Sequence, residues 1–116
     1  MTRVRRLDPV ATIAVLDHVA PIDARRARLV LVPWLMPGVA GVTLGRWILL
    51  RRGREGDLGL IAHELVHVRQ WREQGALRFL AAYLVAYGRG RGAGLDHAAA
   101  YAAIPAEVEA RALAGR

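Results

Sequence analysis

The sequence predicts an α+β domain, with a small sheet in its first half packed on a central helix and further helices toward the C-terminus. Three observations carry this expectation. The apolar stretches Leu29–Leu35 and Val42–Arg51 are bounded by Pro and Gly and lie in the first half. Residues 57–74 open on Asp57 and stop at Gly75, the start and stop signals of a helix. Helix-compatible patterns then follow one another from Ala76 onward. At 116 residues with 54% hydrophobic content, residues 1–116 suffice for one domain with a packed core.

Taken in order, residues 1–20 suit a first strand or a short helix. Asp23 is placed to cap a short helix through Arg28. Leu29–Leu35 is apolar and ends at Met36-Pro37-Gly38, a turn signal. Val42–Arg51 reads as one strand, rich in β-branched and aromatic residues, ahead of Arg52-Gly53-Arg54-Glu55-Gly56. A helix from Asp57 to about Gln74 follows. The next helix covers Ala76–Tyr87, with Leu77, Leu80, Ala81, Leu84 and Val85 as its inward stripe. The alternating glycines of Gly88–Gly94 suggest a flexible loop. Asp96 then caps a helix from His97 to Ile104, and Pro105 opens the last helix through Ala114. That helix is expected to bury Tyr101, Ile104, Val108 and Ala112. There is no internal repeat.

Composition removes several function classes. With no cysteine, disulfides, zinc ribbons and thiol catalysis are excluded, so any metal must use His and carboxylate ligands. The formal charge of +7 is carried by 17 arginines and no lysine. These arginines are dispersed and lack aromatic interleaving, so nucleic acid is disfavoured as a partner and the excess reads as codon bias. Arg3, Arg5 and Arg6 precede the apolar run Val10–Leu16, but Asp8, Pro9, Asp17 and His18 break it too closely for a signal peptide. The stretch Leu29–Leu50 has Arg46 as its only charge, yet Pro33, Pro37, Gly38, Gly41 and Gly45 would break a membrane helix. Membrane association is therefore not favoured, and the expected compartment is the cytoplasm.

His63-Glu64-Leu65-Val66-His67 is the segment richest in chemistry. On a helix, two imidazoles at i and i+4 share one face and reach one metal ion, and Glu64 lies beside the metal's open position. With 4 His and 116 residues, chance produces such a motif in about half a percent of chains of this composition. The flanking Leu58, Ile61, Ala62, Leu65, Val66 and Val68 make the helix apolar on several sides, as a buried helix is. A solvent-facing His pair does not fit that setting.

A catalytic zinc site needs a third protein ligand. The candidates are Glu107, Glu109, His97 and Asp96. Glu107 and Glu109 are about 200° apart on a helix, so only one faces the metal. Glu107 lies nearer the apolar stripe, where a bound cation would offset the cost of burying a carboxylate.

Gly41–Ile48, the HExxHxxQ segment His63–Gln70 and the Glu-x-Glu-Ala of Ile104–Ala110 resemble the gluzincins, zinc metallopeptidases with a minimal zincin core in small bacterial proteins. The match runs in motif order over about residues 38–114. The resemblance implies a zincin-like fold, Zn2+ held by His63, His67 and Glu107, Glu64 as base and a polypeptide substrate. Many relatives carry an acidic or amide residue four positions after the ligand Glu; here that place is Arg111, which cannot accept a hydrogen bond. A backbone carbonyl or Asp96 is then expected to support the His ligands, and Gln70 is placed to orient His67.

The mechanism implied is hydrolysis, with Glu64 moving the proton and Tyr101 or His97 as a second electrophile. Core packing is the competing reading of Tyr101, and Trp71 reads as packing. Two rival functions remain open. One is a zincin-derived module that holds metal without catalysis, which the intact Glu64 argues against. The other is an arginine-rich nucleic-acid binder with a chance HExxH, which salt-dependent DNA binding would reveal.

Overall fold

The computed structural model describes residues 3–7, 9, 12, 19–36 and 39–115. Among them run β1 (Arg3–Arg6), α1 (Pro21–Arg26), β2 (Arg28–Val32), β3 (Gly41–Leu44), β4 (Trp47–Arg51), α2 (Leu58–Gln74), α3 (Ala76–Gly92), α4 (His97–Ala102) and α5 (Pro105–Ala114). The fold is α+β, with one small mixed sheet and five helices among the described residues.

The sheet order is β1-β2-β4-β3, with β2 and β4 parallel and the two outer pairs antiparallel. Strand alternation buries Leu29 and Leu31 of β2 and Ile48 and Leu50 of β4 on one face. Ile48 pairs with Leu29 on one side and Thr43 on the other, and Leu50 pairs with Leu31 and Gly41. Thr43 and Gly41 therefore look to the same face as the core, although they lie on the edge strand.

Helix α2 covers that face. Its Asp57 cap accepts from the Leu60 amide at 3.1 Å, and it stops at Gly75, whose φ of 83° an L side chain rarely adopts. The helix buries Ile61, Ala62, Leu65, Val66 and Val68 together with Glu64, His67 and Gln70. It is covered on several sides, by the sheet on one and by α5 on another. Burial of each large aliphatic side chain such as Ile48, Leu50, Ile61 and Leu65 contributes about 1.5–3 kcal/mol.

Several elements differ from the sequence expectation. Val42–Arg51 is a hairpin in place of one strand: Leu44 pairs with Trp47 across Gly45-Arg46, and Gly45 at φ 65° takes the Gly-first position of a two-residue turn. Asp23 is not a cap. Helix α1 starts at Pro21, which puts Asp23 in its first turn, and the carboxylate turns inward to Arg72 at 2.6 and 3.0 Å. Arg28 already belongs to β2.

The Gly88–Gly94 loop is helical through Gly92. Gly90 explains why the chain tolerates glycine there: a Cβ would come within 3.1 Å of Ala100, so the missing side chain lets α3 and α4 approach. The Leu77, Leu80, Leu84 and Val85 stripe of α3 is exposed, and Phe79 is the buried residue of that helix. The stripe assigned to the last helix is also out of phase. Tyr101 and Val108 are exposed, while Ile104, Glu107 and Ala110 face inward. Helix α4 ends at Ala102, and Ile104 caps α5.

The apolar run Val10–Leu16, apart from Thr12, and Pro37-Gly38 of the turn signal lie outside the described residues. Of the first twenty residues, Arg3–Arg6 form the expected strand. No helix of the described residues is long and apolar enough to cross a membrane.

Candidate metal centre

The i, i+4 spacing places His63 and His67 on the face of α2 that meets α5, their rings 5.1 Å apart. Pro105 sets the start of α5, and Glu107 in its first turn points inward between the two imidazoles. One carboxylate oxygen of Glu107 lies 3.0 Å from His63 Nε2 and the other 3.0 Å from His67 Nε2. Among the described residues, His63, His67 and Glu107 form the group of His, Asp and Glu side chains able to hold a metal ion.

The hydrogen-bond network sets the tautomer of His67. The Gln70 amide nitrogen donates to the Ala106 carbonyl at 3.1 Å and to Glu109 at 2.7 Å, both pure acceptors. Gln70 Oε1 must then face His67 Nδ1, 2.8 Å away, and Nδ1 is the donor. In the neutral ring the Nε2 lone pair is thereby turned toward Glu107. Nε2 is buried and, although 3.0 Å from the carboxylate, makes no hydrogen bond. A lone pair set against a carboxylate oxygen is repulsive unless a proton or a cation stands between them. Two imidazoles and a carboxylate are also the donor set that zinc accepts in catalytic sites. The residues present therefore fit the ion.

Electrostatics follow from the crowding. Burial alone would raise the Glu107 carboxyl, but His63, His67 and Tyr83 outweigh it and hold the group well below the usual range. Burial pushes Glu64 up, against the pull of His67 and His63. For His67, burial favours the neutral ring, yet the Glu107 and Glu64 carboxylates prevail and its pKa is raised.

Glu64 sits on the sheet side of the same helix. The Thr43 hydroxyl lies 3.2 Å from its Oε1 and 3.1 Å from its backbone carbonyl. Gly41, two residues earlier on the same face, packs closely: a Cβ there would stand 3.1 Å from Leu50 Cδ2 and in van der Waals contact with Glu64 Cγ at 3.4 Å. The edge strand thus cradles the carboxylate.

Of the other candidates, Tyr101 reaches the rim. It is partly exposed, edge-on to Tyr83 at 6.4 Å between centroids, and its hydroxyl is pushed up to about 12 by burial and then by Glu107. Asp96 caps α4 by accepting from the Ala99 amide at 2.8 Å. His97 is exposed, with Nδ1 2.9 Å from the Tyr87 hydroxyl. Neither joins the group of three. Glu109 points outward to Gln70 and Arg69, which lower its carboxyl, the Gln70 amide first. Arg111 donates to the Ala102 carbonyl instead of supporting a histidine, and Gln70 takes the supporting place.

Two contributors do not stand out in the sequence. Tyr83 donates to Glu107 Oε2 at 2.7 Å, and burial followed by that carboxylate raises its hydroxyl far above the ordinary value. Its signal is the i, i+4, i+8 run Phe79, Tyr83, Tyr87, which competes with the leucine stripe of the same helix. Thr43 becomes visible only through the strand register. Comparison with protein-family models, with curated proteins and with solved structures gives no match for this chain.

Proposed function

We propose that the chain is a zinc-dependent metallopeptidase of the gluzincin type, with His63, His67 and Glu107 as ligands and Glu64 as base. The observation that carries the reading is the pairing of each Glu107 oxygen with one imidazole Nε2, beside a buried Glu64 that stands outside the group of three. A zincin-like identity for the sheet and helices belongs to the same proposal. It is supported by the edge strand lying against the motif helix.

When bound, zinc supplies Lewis-acid activation of a water and of the scissile carbonyl. The chain's own residues do the rest. Glu64, whose raised pKa suits a group that both takes and returns a proton, accepts one from the attacking water and delivers it to the leaving amine as the C–N bond breaks. Thr43 holds that carboxylate in place. Gln70 fixes the His67 ring, and Tyr83 neutralises part of the Glu107 charge by donating to it. Tyr101, whose hydroxyl is still protonated at neutral pH, would donate to the developing oxyanion.

The sheet supports a polypeptide as the substrate. Strand β3 pairs with β4 on one side, and its other side has no strand partner among the described residues. An extended peptide can add there through main-chain hydrogen bonds, next to Glu64. Within the β3–β4 hairpin the edge role falls to Gly41–Leu44, because β4 is paired on both sides.

The test is metal analysis of zinc-replete purified protein, followed by cleavage of an unstructured polypeptide. One zinc per chain, lost in His63→Ala and His67→Ala, with cleavage abolished in Glu64→Gln, is the expected result. Absence of metal sinks the proposal. Metal that binds stoichiometrically without any cleavage reduces it to a metal-holding module.

A further inference from the structure

Helix α3 has two unlike faces. On one, Phe79 packs against Trp71 and Tyr83 donates to Glu107. The opposite face carries Leu77, Leu80, Leu84 and Val85 into solvent, with Leu77 85% and Leu84 63% exposed. Their i, i+3, i+7, i+8 spacing, with Ala81 between them, makes one continuous stripe along the helix. Single exposed leucines are ordinary, but a contiguous stripe of them is the mark of a contact surface.

The charges beside the stripe indicate what meets it. Helix α3 contains Arg78, Arg89 and Arg91 and no acidic residue. At about 100° per residue, Arg78 and Arg89 run along the Val85 flank of the stripe, and Arg91 continues the line of Leu77 and Leu84 at its C-terminal end. All three are exposed, and among the described residues none forms an ion pair. Arg89 and Arg91 suit the last turn, where the helix dipole favours a cation. Arg78 stands in the first turn, where the dipole disfavours one. The carboxylates nearest in sequence are engaged elsewhere, Glu73 with Arg69 at 3.3 Å and Asp96 with the Ala99 amide at 2.8 Å.

These charges select the occupant. A second copy laid on the same face would set arginine against arginine in either direction, because the helix offers no acid to pair with them. The face is also convex, with its leucines standing proud of the molecule. A bilayer surface needs no matching shape. It takes up the leucines among its acyl chains, while the arginine stems lie along the boundary and their guanidinium groups reach the lipid phosphates.

We propose that α3 is an interfacial helix that docks the protein on an anionic lipid surface, with Leu77, Leu84 and Val85 inserted and Arg78, Arg89 and Arg91 against the headgroups. The contact lies on the bilayer, since no helix of the described residues is long and apolar enough to cross one. It does not depend on the metal reading, because none of these residues belongs to the metal group.

The experiment sediments the purified chain with vesicles of phosphatidylcholine alone, and with vesicles in which about one third is phosphatidylserine. A polarity-sensitive fluorophore on Ala81→Cys, the sole thiol in a chain without cysteine, reads burial of the stripe. Binding to the anionic vesicles is expected to be at least about tenfold tighter, to weaken as salt is raised, and to shift the fluorophore emission to the blue. Leu77→Ser and Leu84→Ser, both at exposed positions, should each weaken it about tenfold, and Arg78→Gln about fivefold. Arg6→Gln removes the same charge from the exposed face of β1 and should change binding by less than about twofold. Binding should persist in His63→Ala, which separates α3 from lipid held at the metal centre. No binding, equal binding to both vesicles, unchanged binding in Leu77→Ser, equal weakening by Arg6→Gln, or loss in folded His63→Ala would each overturn the proposal. So would a dimer that Leu84→Ser dissociates in a chain that leaves the vesicles unbound.

Discussion

Gln70 joins His67 to the last helix: its oxygen is 2.8 Å from His67 Nδ1 while its nitrogen is committed to Ala106 and Glu109. Only the orientation with Nδ1 protonated satisfies all three contacts, so Gln70 decides which nitrogen of His67 faces Glu107. Gln70→Leu is expected to keep the fold and weaken zinc binding by about 10–100-fold, measured by competition with a chelator. Unchanged affinity would show that the ring keeps its orientation without the amide.

The two glutamates of α5 separate the ligand from its neighbour. Glu107→Ala should weaken zinc binding by at least about tenfold, roughly 1.4 kcal/mol or more. Glu109→Ala removes an exposed acceptor from Gln70 and Arg69, and its effect should stay within about threefold. Side-by-side titrations decide the matter; a larger loss at Glu109 would place the wrong carboxylate on the metal.

Glu64→Gln tests the base. The amide is nearly isosteric, and Thr43 can still donate to its oxygen. Zinc content and thermal stability should match the parent, while turnover of any polypeptide substrate falls by about 10²–10⁴-fold. Equal turnover would remove Glu64 from the proton path.

The pH dependence should reverse when metal binds. In the metal-free chain His67 lies above its ordinary 6.5 and Glu64 above its ordinary 4.5, so the stability tied to both protonated forms is lost as pH rises through the raised values. Glu107 lies below its ordinary 4.5, and its contribution is lost only as pH falls through the depressed value. Tm of the metal-free protein should therefore decline as pH rises above 6.5, the ordinary value of an imidazole. Zinc requires neutral imidazoles, so the stabilisation that it adds should grow over the same range. Parallel curves with and without zinc would contradict this assignment.

Glycines of α3 should divide by their surroundings. Gly88 and Gly92 have open space where a Cβ would stand, so Gly88→Ala should stabilise by about 0.5–1 kcal/mol through helix propensity. Gly90→Leu would drive a side chain into Ala100 of α4 and should cost about 1–3 kcal/mol or more. Denaturant midpoints measure both. Equal destabilisation at the two positions would mean that α3 does not pack on α4 through Gly90.

What could be read from residue order alone follows a physical division. The ends of α2 were legible because Asp57 and Gly75 act on their own neighbours. The motif face was legible because i, i+4 geometry needs no partner to be known. Helix phase was harder. In α5, alanines fit either face, and the inward stripe is centred on a charged residue, Glu107, that a hydrophobic pattern discounts. The expectation that Glu107 lies on the inner side holds, although the stripe used to argue it was misplaced. In α3 the leucines face outward and the aromatics inward, because Phe79 and Tyr83 have Trp71 and Glu107 to meet. The hairpin was hidden in a run of β-formers broken only by Gly45-Arg46. Thr43 against Glu64 required the register itself.

The Asp23–Arg72 clasp has a consequence for how the molecule opens. A six-residue helix such as α1 is too short to persist alone and would ordinarily fray into solvent. Its buried carboxylate is tied to Arg72 in the last turn of α2, beyond the second histidine of the motif. Breaking that pair would strand a buried charge, so α1 cannot peel away cheaply. Amide hydrogen exchange should therefore report α1 and the C-terminal half of α2 as one cooperative unit, released together and at similar free energy.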